Sequence, residues 1–287
     1  MIVVIIGPTG VGKTKLSLSL AKKYEAEIIN ADAMQIYKEM NIGTAKVTDT
    51  LGVPHHLLSI KSVNESYSVY EYQKDGRRIL NELISKNKNI IIVGGTGLYI
   101  KALLYDYKFN IEEINETYDN LTNEEILSEI NKIGKTDVHI NNRKRLIRTL
   151  NRLKNNNIEE VSGNNLLYDN VYFIGLTTER SILYDRINKR VDEMIEEGLI
   201  EEVKDLYDKN INTIPINTAI GYKELYKYFD GNISLEESID LIKRNSRRYA
   251  KRQYTWINNK MNVKWFNVNI SEFDKTITEV EEYIKSN

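Results

Sequence analysis

The sequence has no cysteine, only three prolines and only three histidines. The lack of cysteine excludes disulfides, thiolate nucleophiles and cysteine-based zinc sites. His55 and His56 are adjacent and have only His139 as a further histidine, an arrangement more typical of structural residues than of metal ligands. Long apolar runs are also missing, since Ile2 to Ile6 is far too short for a signal sequence or a membrane span and ends at Gly7. We therefore expect a soluble, cytoplasmic protein with no membrane partner.

Neither sign of charge is in clear excess, because the sequence contains 40 lysines and arginines and 41 aspartates and glutamates. Attraction for RNA must therefore come from local segregation of charge. Glu112 to Glu129 contains seven acidic and no basic side chains, whereas Arg143 to Lys154 contains six basic and no acidic ones. A charge run is often only a solvated helix face, so the basic run by itself leaves RNA binding and simple solvation open.

Short β-branched apolar runs alternate with helical patterns, which is typical of a parallel sheet covered by helices. The predicted strands are Ile2 to Ile6, Glu27 to Asn30, Asn89 to Val93 and Val171 to Leu176, and the first predicted helix is Thr14 to Tyr24. The predicted fold class is therefore α/β, with a P-loop-type open parallel sheet flanked by helices. Its ligands are expected at the carboxyl ends of the strands.

A charged, helix-forming stretch interrupts this alternation and contains no convincing strand. We therefore predict a P-loop catalytic core of residues 1–107 and 170–287, with an inserted, mostly helical subdomain of residues 108–169. After the fourth predicted strand the chain is predicted to be helical to its end, apart from one short strand at Val263 to Val268.

The strongest motif matches G-x-x-x-x-G-K-[ST] and lies between the first predicted strand and the first predicted helix. In such a loop, glycines let backbone N–H groups converge on an anion, and the helix N-terminus favours negative charge. The lysine adds a positive charge, and the hydroxyl residue faces magnesium. We predict that a diphosphate or polyphosphate is held by Gly7, Pro8, Thr9, Gly10, Val11, Gly12, Lys13 and Thr14.

An ATPase or GTPase is expected to carry a magnesium-binding carboxylate at the end of a core strand. The third and fourth predicted strands end in Gly94-Gly95-Thr96 and Gly175-Leu176-Thr177, so hydrolysis is not favoured. The only carboxylate at a strand end is Asp32. It is either the N-cap of a helix or, beside a diphosphate, a general base for an incoming nucleophile.

Eight motifs follow one another in a specific order: Gly7 to Thr14, Asp32 to Tyr37, Asn41 to Lys46, Pro54 to His56, Val93 to Tyr99, Lys144 to Arg148, Ile220 to Glu224 and Arg248 to Trp256. By these motifs the sequence resembles the tRNA dimethylallyltransferase family over most of its length. Members of that family move a five-carbon prenyl group from dimethylallyl diphosphate to the exocyclic amine of the adenosine beside the anticodon. The lack of a zinc-finger extension resembles the bacterial type.

The resemblance implies that the loop holds the diphosphate of the prenyl donor rather than a nucleotide. Asp32 would accept the proton of the adenine amine, and Arg190 would neutralise charge on the leaving group, with Arg186 one helical turn earlier as the alternative. Thr14 would also contact magnesium, the only cofactor implied. The implied catalytic residues are thus Asp32, Thr14, Lys13 and Arg190, and Thr96 is a further diphosphate contact.

The partner implied by the resemblance is the anticodon arm of tRNA, and we expect the protein to bind it as a monomer. The adenine must leave the anticodon stack, at a cost of about a few kcal/mol, to reach the pocket. The implied contacts form three groups: Asp32, Ala33, Met34 and Gln35 at the extruded base; Lys144, Arg145, Leu146, Ile147 and Arg148 in the insertion; and Arg247, Arg248, Lys251 and Arg252 near the end of the chain.

Three other functions share some of these features. A prenyltransferase acting on free adenosine nucleotides would keep the loop and Asp32 but would not need the basic runs. A P-loop small-molecule kinase would transfer phosphate from ATP, which the loop motif alone also permits. An RNA-binding module would keep the basic runs with an inactive loop.

Overall fold

The computed structural model describes residues 1–109, 116–154 and 163–287. Its strands are β1 (Ile2–Ile6), β2 (Glu27–Asn30), β3 (His55–His56), β4 (Ile90–Gly94), β5 (Val171–Thr177) and β6 (Lys264–Asn267). Its helices are α1 (Lys13–Lys23), α2 (Val69–Ser85), α3 (Gly97–Leu104), α4 (Asn123–Ile133), α5 (Arg143–Lys154), α6 (Arg180–Glu196), α7 (Leu199–Asp208), α8 (Ile214–Thr218), α9 (Tyr222–Phe229), α10 (Leu235–Lys260) and α11 (Phe273–Ser286). Part of the predicted insertion, including Glu112 and Glu113 of the acidic run, lies outside the described residues.

The strands form one parallel sheet in the order β3-β2-β4-β1-β5-β6. β1 lies at its centre, with Ile2 opposite both Ile90 of β4 and Val171 of β5. All five residues of β1 are buried. Branched apolar side chains suit this position, because a central parallel strand is covered on both faces. The predicted α/β fold with an open parallel sheet is confirmed.

The two edge strands are the least evident from the sequence. β3 is only two residues long and is not predicted, since two residues carry no alternation of polarity. It pairs with β2, and the Nε2 atom of His56 lies 2.7 Å from a carboxylate oxygen of Glu27 on β2. β6 falls within the predicted run Val263 to Val268 and pairs with β5.

The chain divides into two compact units, a large one of Met1–Leu104 and Leu167–Asn287 and a small one of Tyr105–Leu166. The core of the large unit contains residues from the sheet and from the helices beside it, such as Val3, Leu16, Ile28 and Ile174. Within the described ranges, no helix combines the length and the apolar character needed to cross a bilayer.

The small unit is built around α4 and α5. Its core contains Ile126 and Ile130 of α4, Leu146 and Leu150 of α5, and Tyr118. α4 begins with a capping box in which the side chains of Thr122 and Glu125 each accept a hydrogen bond from the other residue's backbone N–H.

The first residue of α5, Arg143, also has a structural role. Its guanidinium donates to the backbone oxygens of Tyr118 at 2.7 Å and Leu121 at 2.8 Å. One cation of the basic run therefore ties α5 to the segment that leads into α4.

Candidate active site

Three turns of the large unit meet at the carboxyl edge of the sheet, because β1, β2 and β4 are parallel. β1 leads into the phosphate loop, β2 leads to Asp32, and β4 leads to Gly95 and Thr96. The turns approach closely: the N–H of Thr96 donates to the carbonyl of Ala31 at 3.1 Å. A side chain at Gly94 would lie 2.1 Å from that same carbonyl oxygen, so only glycine fits there. The sheet thus brings the phosphate loop and Asp32 together.

The phosphate loop closes onto the N-terminus of α1. Gly10 and Gly12 have φ values of +86° and +94°, which favour glycine. Gly12 is required for a second reason, since an added Cβ would lie 2.4 Å from the ring of Phe273 at the start of α11. The loop therefore has a fixed backbone whose N–H groups and helix N-terminus attract an anion.

The side chain of Lys13 is half-buried and folds back onto this loop. Its ammonium donates to the carbonyl oxygens of Gly7 at 3.0 Å and Pro8 at 2.8 Å. Burial, and next the positive charge of Arg190, lower the pKa of Lys13 to about 8, while the carboxylate of Asp32 opposes this change. The negative charge of a bound anion would favour the charged form of the ammonium and so oppose both causes, which makes the loop suited to a negatively charged ligand beside Lys13.

Two arginines of α6 reach the phosphate loop, as their spacing of one helical turn permits. Arg190 donates to the hydroxyl oxygen of Thr9 at 3.0 Å, and Arg186 donates through Nε to the carbonyl of Gly10 at 2.8 Å. Burial lowers the pKa of Arg190, with Asp32 as the main opposing charge. Arg190 thus contacts a side chain of the loop, whereas Arg186 holds its backbone.

Asp32 does not cap a helix in this structure, because no helix starts beside it in the described chain. Its Oδ1 atom accepts the N–H of Met34 at 3.0 Å, and its own N–H donates to Asn30 Oδ1 at 3.1 Å. The next residue, Ala33, donates to the hydroxyl of Thr96 at 3.1 Å. These bonds fix the carboxylate through one oxygen and leave Oδ2 as an acceptor for a substrate.

Gln253 of α10 is a site residue that the sequence interpretation missed. Its Oε1 atom accepts the N–H of Thr9 at 3.2 Å, and its Nε2 atom donates to the carbonyl of Gly95 at 3.0 Å. One buried amide thereby joins the phosphate loop to the turn after β4. Two sequence signals point to it: it lies inside the motif Arg248 to Trp256, and it follows Tyr249, a second cavity residue, by one helical turn.

A cavity of about 500 Å³ lies against these groups, entirely within the large unit. Its lining includes many of the predicted site residues, namely Thr9, Gly10, Gly12, Lys13, Thr14, Asp32, Met34, Gln35, Arg190 and Arg252. Its apolar lining includes Val47, Met194, Leu199 and Ile220. A charged end and an apolar wall in one cavity suit a ligand that has both an anionic and a hydrocarbon part.

The remaining predicted residues lie elsewhere. Val11 is buried in the core, and Thr96 holds Ala33 rather than lining the cavity. On α10, Arg247 donates to Asn188 of α6, while Arg248 and Lys251 are exposed.

Tyr249, which lines the cavity, also lies beneath one of the α10 cations. The guanidinium of Arg252 lies 5.5 Å from its ring. Burial, and next the charge of Asp32, raise the pKa of Tyr249 to about 12, so its hydroxyl stays protonated near neutral pH.

In the small unit, the predicted RNA contacts divide by helix face. Lys144, Arg145 and Arg148 are exposed. Leu146 is fully buried in the core of this unit and Ile147 packs partly against it, so the side chain of Leu146 is not accessible to an RNA ligand.

Comparison with known proteins places this arrangement in a family. The sequence model described as IPP transferase matches residues 35–260. The tRNA dimethylallyltransferase of Anoxybacillus flavithermus is 46% identical over 304 residues, covering 99% of this chain and 96% of that protein. That of Bacillus licheniformis is 48% identical over 285 residues, covering 93% and 90%. The chain belongs to the tRNA dimethylallyltransferase family. The predicted family and enzyme class, a transferase, are confirmed.

Solved structures of the family agree with this assignment. The full-length tRNA isopentenylpyrophosphate transferase of Bacillus halodurans superimposes with a TM-score of 0.79 at 44% identity, covering 99% of this chain and 95% of that one. A eukaryotic dimethylallyltransferase acting on tRNA gives a TM-score of 0.78 at 27% identity, covering 100% and 80%. The α/β architecture of the chain is therefore that of the tRNA dimethylallyltransferases.

Proposed function

We propose that this tRNA dimethylallyltransferase transfers the dimethylallyl group of dimethylallyl diphosphate to the N6 amine of the adenosine on the 3′ side of the anticodon. Family membership supports the reaction class. The observation that carries the assignment of roles is that Lys13, Arg190 and the carboxylate of Asp32 line one cavity beside an anion-binding loop. A diphosphate site and a proton acceptor are the two functions that this reaction needs.

The leaving group is stabilised by the phosphate loop. As the bond between C1 of the prenyl group and the diphosphate oxygen breaks, negative charge grows on that oxygen. We assign the stabilisation of this charge to Lys13, Arg190 and the N-terminus of α1, which all lie at the phosphate loop, so that little reorganisation is needed. Because an aromatic amine is a weak nucleophile, we assign most of the lowering of the barrier to these groups and to positioning.

Asp32 accepts the proton that the amine must lose. The new bond joins N6 of adenine to C1, and the N6 proton passes to the carboxylate. Oδ1 is held by the N–H of Met34 at 3.0 Å, so Oδ2 is the proton acceptor. Gln35, which also lines the cavity, lies three residues after Asp32 and supports placement of the extruded base on this side.

The residues at this site fit magnesium as a metal shared with the substrate. Magnesium takes oxygen ligands and usually binds few protein groups together with phosphates and water. Thr14 is the second residue of α1 and lines the cavity beside Lys13. No group of three or more histidine, aspartate or glutamate side chains that could hold a metal occurs in the described ranges. We propose that Thr14 and the diphosphate hold magnesium, which would neutralise charge on the leaving group.

The tRNA is bound through its phosphates by two sets of exposed cations. One set, Lys144, Arg145 and Arg148, lies on α5 of the small unit, and the other, Arg248, Lys251 and Arg252, lies on α10 of the large unit. Exposed cations at helical spacing suit contacts to a phosphate backbone, and Tyr249 and Tyr254 on α10 offer rings for stacking. These sets favour tRNA over a free adenosine nucleotide.

The test is incubation of unmodified tRNA with the protein, magnesium and dimethylallyl diphosphate, followed by nucleoside mass spectrometry. We expect an adenosine heavier by one dimethylallyl group, located next to the anticodon by nuclease mapping. Modification of AMP but not of tRNA would instead support the nucleotide prenyltransferase. Tighter calorimetric binding of ATP than of dimethylallyl diphosphate would support the kinase.

A further inference from the structure

The loop of residues 41–47, called the wall loop here, forms one side of the reaction cavity. Gly43, Thr44, Ala45 and Val47 line the cavity, and none of them belongs to a helix or strand. A loop without regular structure needs contacts from elsewhere to hold a fixed position. Gln35 supplies one of them, because its Nε2 atom donates to the carbonyl of Thr44 at 3.0 Å.

The main contact is the carboxylate of Glu202 on α7. Its Oε2 atom accepts the backbone N–H groups of Asn41 at 3.0 Å and Ile42 at 2.9 Å, and its Oε1 atom accepts that of Gly43 at 3.2 Å. Three successive N–H groups that converge on one carboxylate form the same kind of nest that binds anions elsewhere. Here the anion is a side chain of the protein, so it fixes the loop.

Tyr222 of α9 completes this contact. Its hydroxyl donates to Oε1 of Glu202 at 2.6 Å, and its ring is fully buried. Burial, and next the charge of Glu202, raise the pKa of Tyr222, so the hydroxyl remains a donor. The ring lies directly against the wall loop, since an added Cβ at Gly43 would be 2.5 Å from a ring carbon.

The wall loop lies beside the apolar lining of the cavity. Leu199, which precedes Glu202 by about one turn of α7, lines the cavity together with Val47 and Ile220. When the diphosphate of a donor is bound at Lys13, its hydrocarbon part is expected to contact this apolar lining, because the burial of hydrocarbon against apolar side chains is favourable. The position of the wall loop therefore limits the space for the prenyl chain.

We propose that Glu202 and Tyr222 are positioning residues that hold the wall loop in place and thereby restrict the donor to a short prenyl chain. This inference rests on the proposed function, in which the cavity takes a prenyl diphosphate. It assigns to Glu202 and Tyr222 no contact with the reacting atoms.

The test compares the affinities for dimethylallyl diphosphate, with five carbons, and geranyl diphosphate, with ten, by titration calorimetry. The variants are Tyr222→Phe, which removes one hydrogen bond and keeps the ring, and Glu202→Gln, which places an NH₂ group against backbone donors. The matched control is Tyr226→Phe on the same helix, whose hydroxyl donates to the carbonyl of Ile211 at 2.7 Å, away from the cavity lining.

We expect the wild-type protein and Tyr226→Phe to bind the five-carbon donor more tightly than the ten-carbon donor, by the same factor in both proteins. Tyr222→Phe should lower this preference by about tenfold, as expected for one hydrogen bond to a charged acceptor, and Glu202→Gln by more. An unchanged preference in Tyr222→Phe, or an equal change in Tyr226→Phe, would overturn the inference even if stability fell. Because the readout is donor binding, it is separate from the mass-spectrometric test, whose failure would overturn the proposed function instead.

Discussion

Binding of the prenyl donor should be accompanied by uptake of a proton at Lys13. In the free protein the pKa of Lys13 is lowered to about 8, first by burial and next by Arg190. At pH 8 about half of the molecules therefore carry a neutral Lys13, against about a tenth at pH 7 and about nine tenths at pH 9. A diphosphate beside the amine favours its charged form and raises its pKa, so binding draws a proton from the buffer.

The sign and size of the effect follow from this shift. Affinity is highest when Lys13 is already protonated, so it should fall as pH rises through 8. Between pH 7 and pH 9 the expected loss is about tenfold, or about 1.4 kcal/mol. A phosphate group has its last pKa near about 6, so the donor itself contributes little change in this range.

The assay is calorimetric titration with dimethylallyl diphosphate at pH 8 in buffers of different ionisation enthalpy, which reports the number of protons taken up. We expect about half a proton per donor. Lys13→Arg should abolish the uptake, because arginine stays charged. Lys46→Arg is the matched control. Burial also lowers the pKa of Lys46 to about 8, but its ammonium donates to the carbonyl of Tyr37 and not to the phosphate loop. Uptake that persists in Lys13→Arg, or disappears in Lys46→Arg, would refute this reasoning.

Three further outcomes are expected. Asp32→Asn keeps an acceptor for the N–H of Met34 but cannot take the amine proton, so single-turnover transfer should slow by about 10²–10⁴-fold with donor affinity little changed. Arg190→Ala should slow the same step by about 10²–10³-fold, because it removes a positive charge that stabilises the leaving group. Combined replacement of Lys144, Arg145 and Arg148 by alanine should weaken tRNA binding and reduce its salt dependence by about one unit of slope per lost contact, measured by filter binding at several salt concentrations.

Each of these predictions has a result that contradicts it. If Asp32→Asn transferred the prenyl group at the wild-type rate, Asp32 could not be the proton acceptor. An unaltered rate in Arg190→Ala would likewise refute the role of Arg190 in stabilising the leaving group. The control for the triple variant replaces three exposed lysines of the large unit, Lys22, Lys209 and Lys285, with alanine. An equal loss of tRNA affinity in that control would mean that net charge, rather than α5, decides binding.

The chemistry at the charged end of the cavity was predictable because it is encoded locally. The phosphate loop needs glycines and Lys13 within eight residues, and Asp32 follows a strand directly. The structure places Arg190 and also Arg186 at the loop, since both lie on one face of α6. The sequence could not show that Arg190 contacts a side chain of the loop and Arg186 a carbonyl, because both contacts join segments that are distant in the chain.

What the sequence could not supply are contacts between distant segments. Gln253 joins backbone groups that lie 244 and 158 positions away, and Glu202 holds N–H groups about 160 positions away. Gln253 lies inside the motif Arg248 to Trp256, and Glu202 lies in an ordinary charged helix, but neither local sequence indicates the distant groups that the side chain contacts. The short β3 escaped prediction for a related reason, because a two-residue strand exists only through its pairing with β2.

The contact between Phe273 and Gly12 has a consequence for how the protein is made. These residues are separated by 261 positions, from 12 to 273, yet the ring fills the space that a side chain at Gly12 would need. On the ribosome, the loop is synthesised long before the aromatic ring that backs it. A chain interrupted before residue 273 would therefore carry the whole signature motif and still lack the support of its phosphate site, and motif integrity alone is a poor guide to whether a fragment is active.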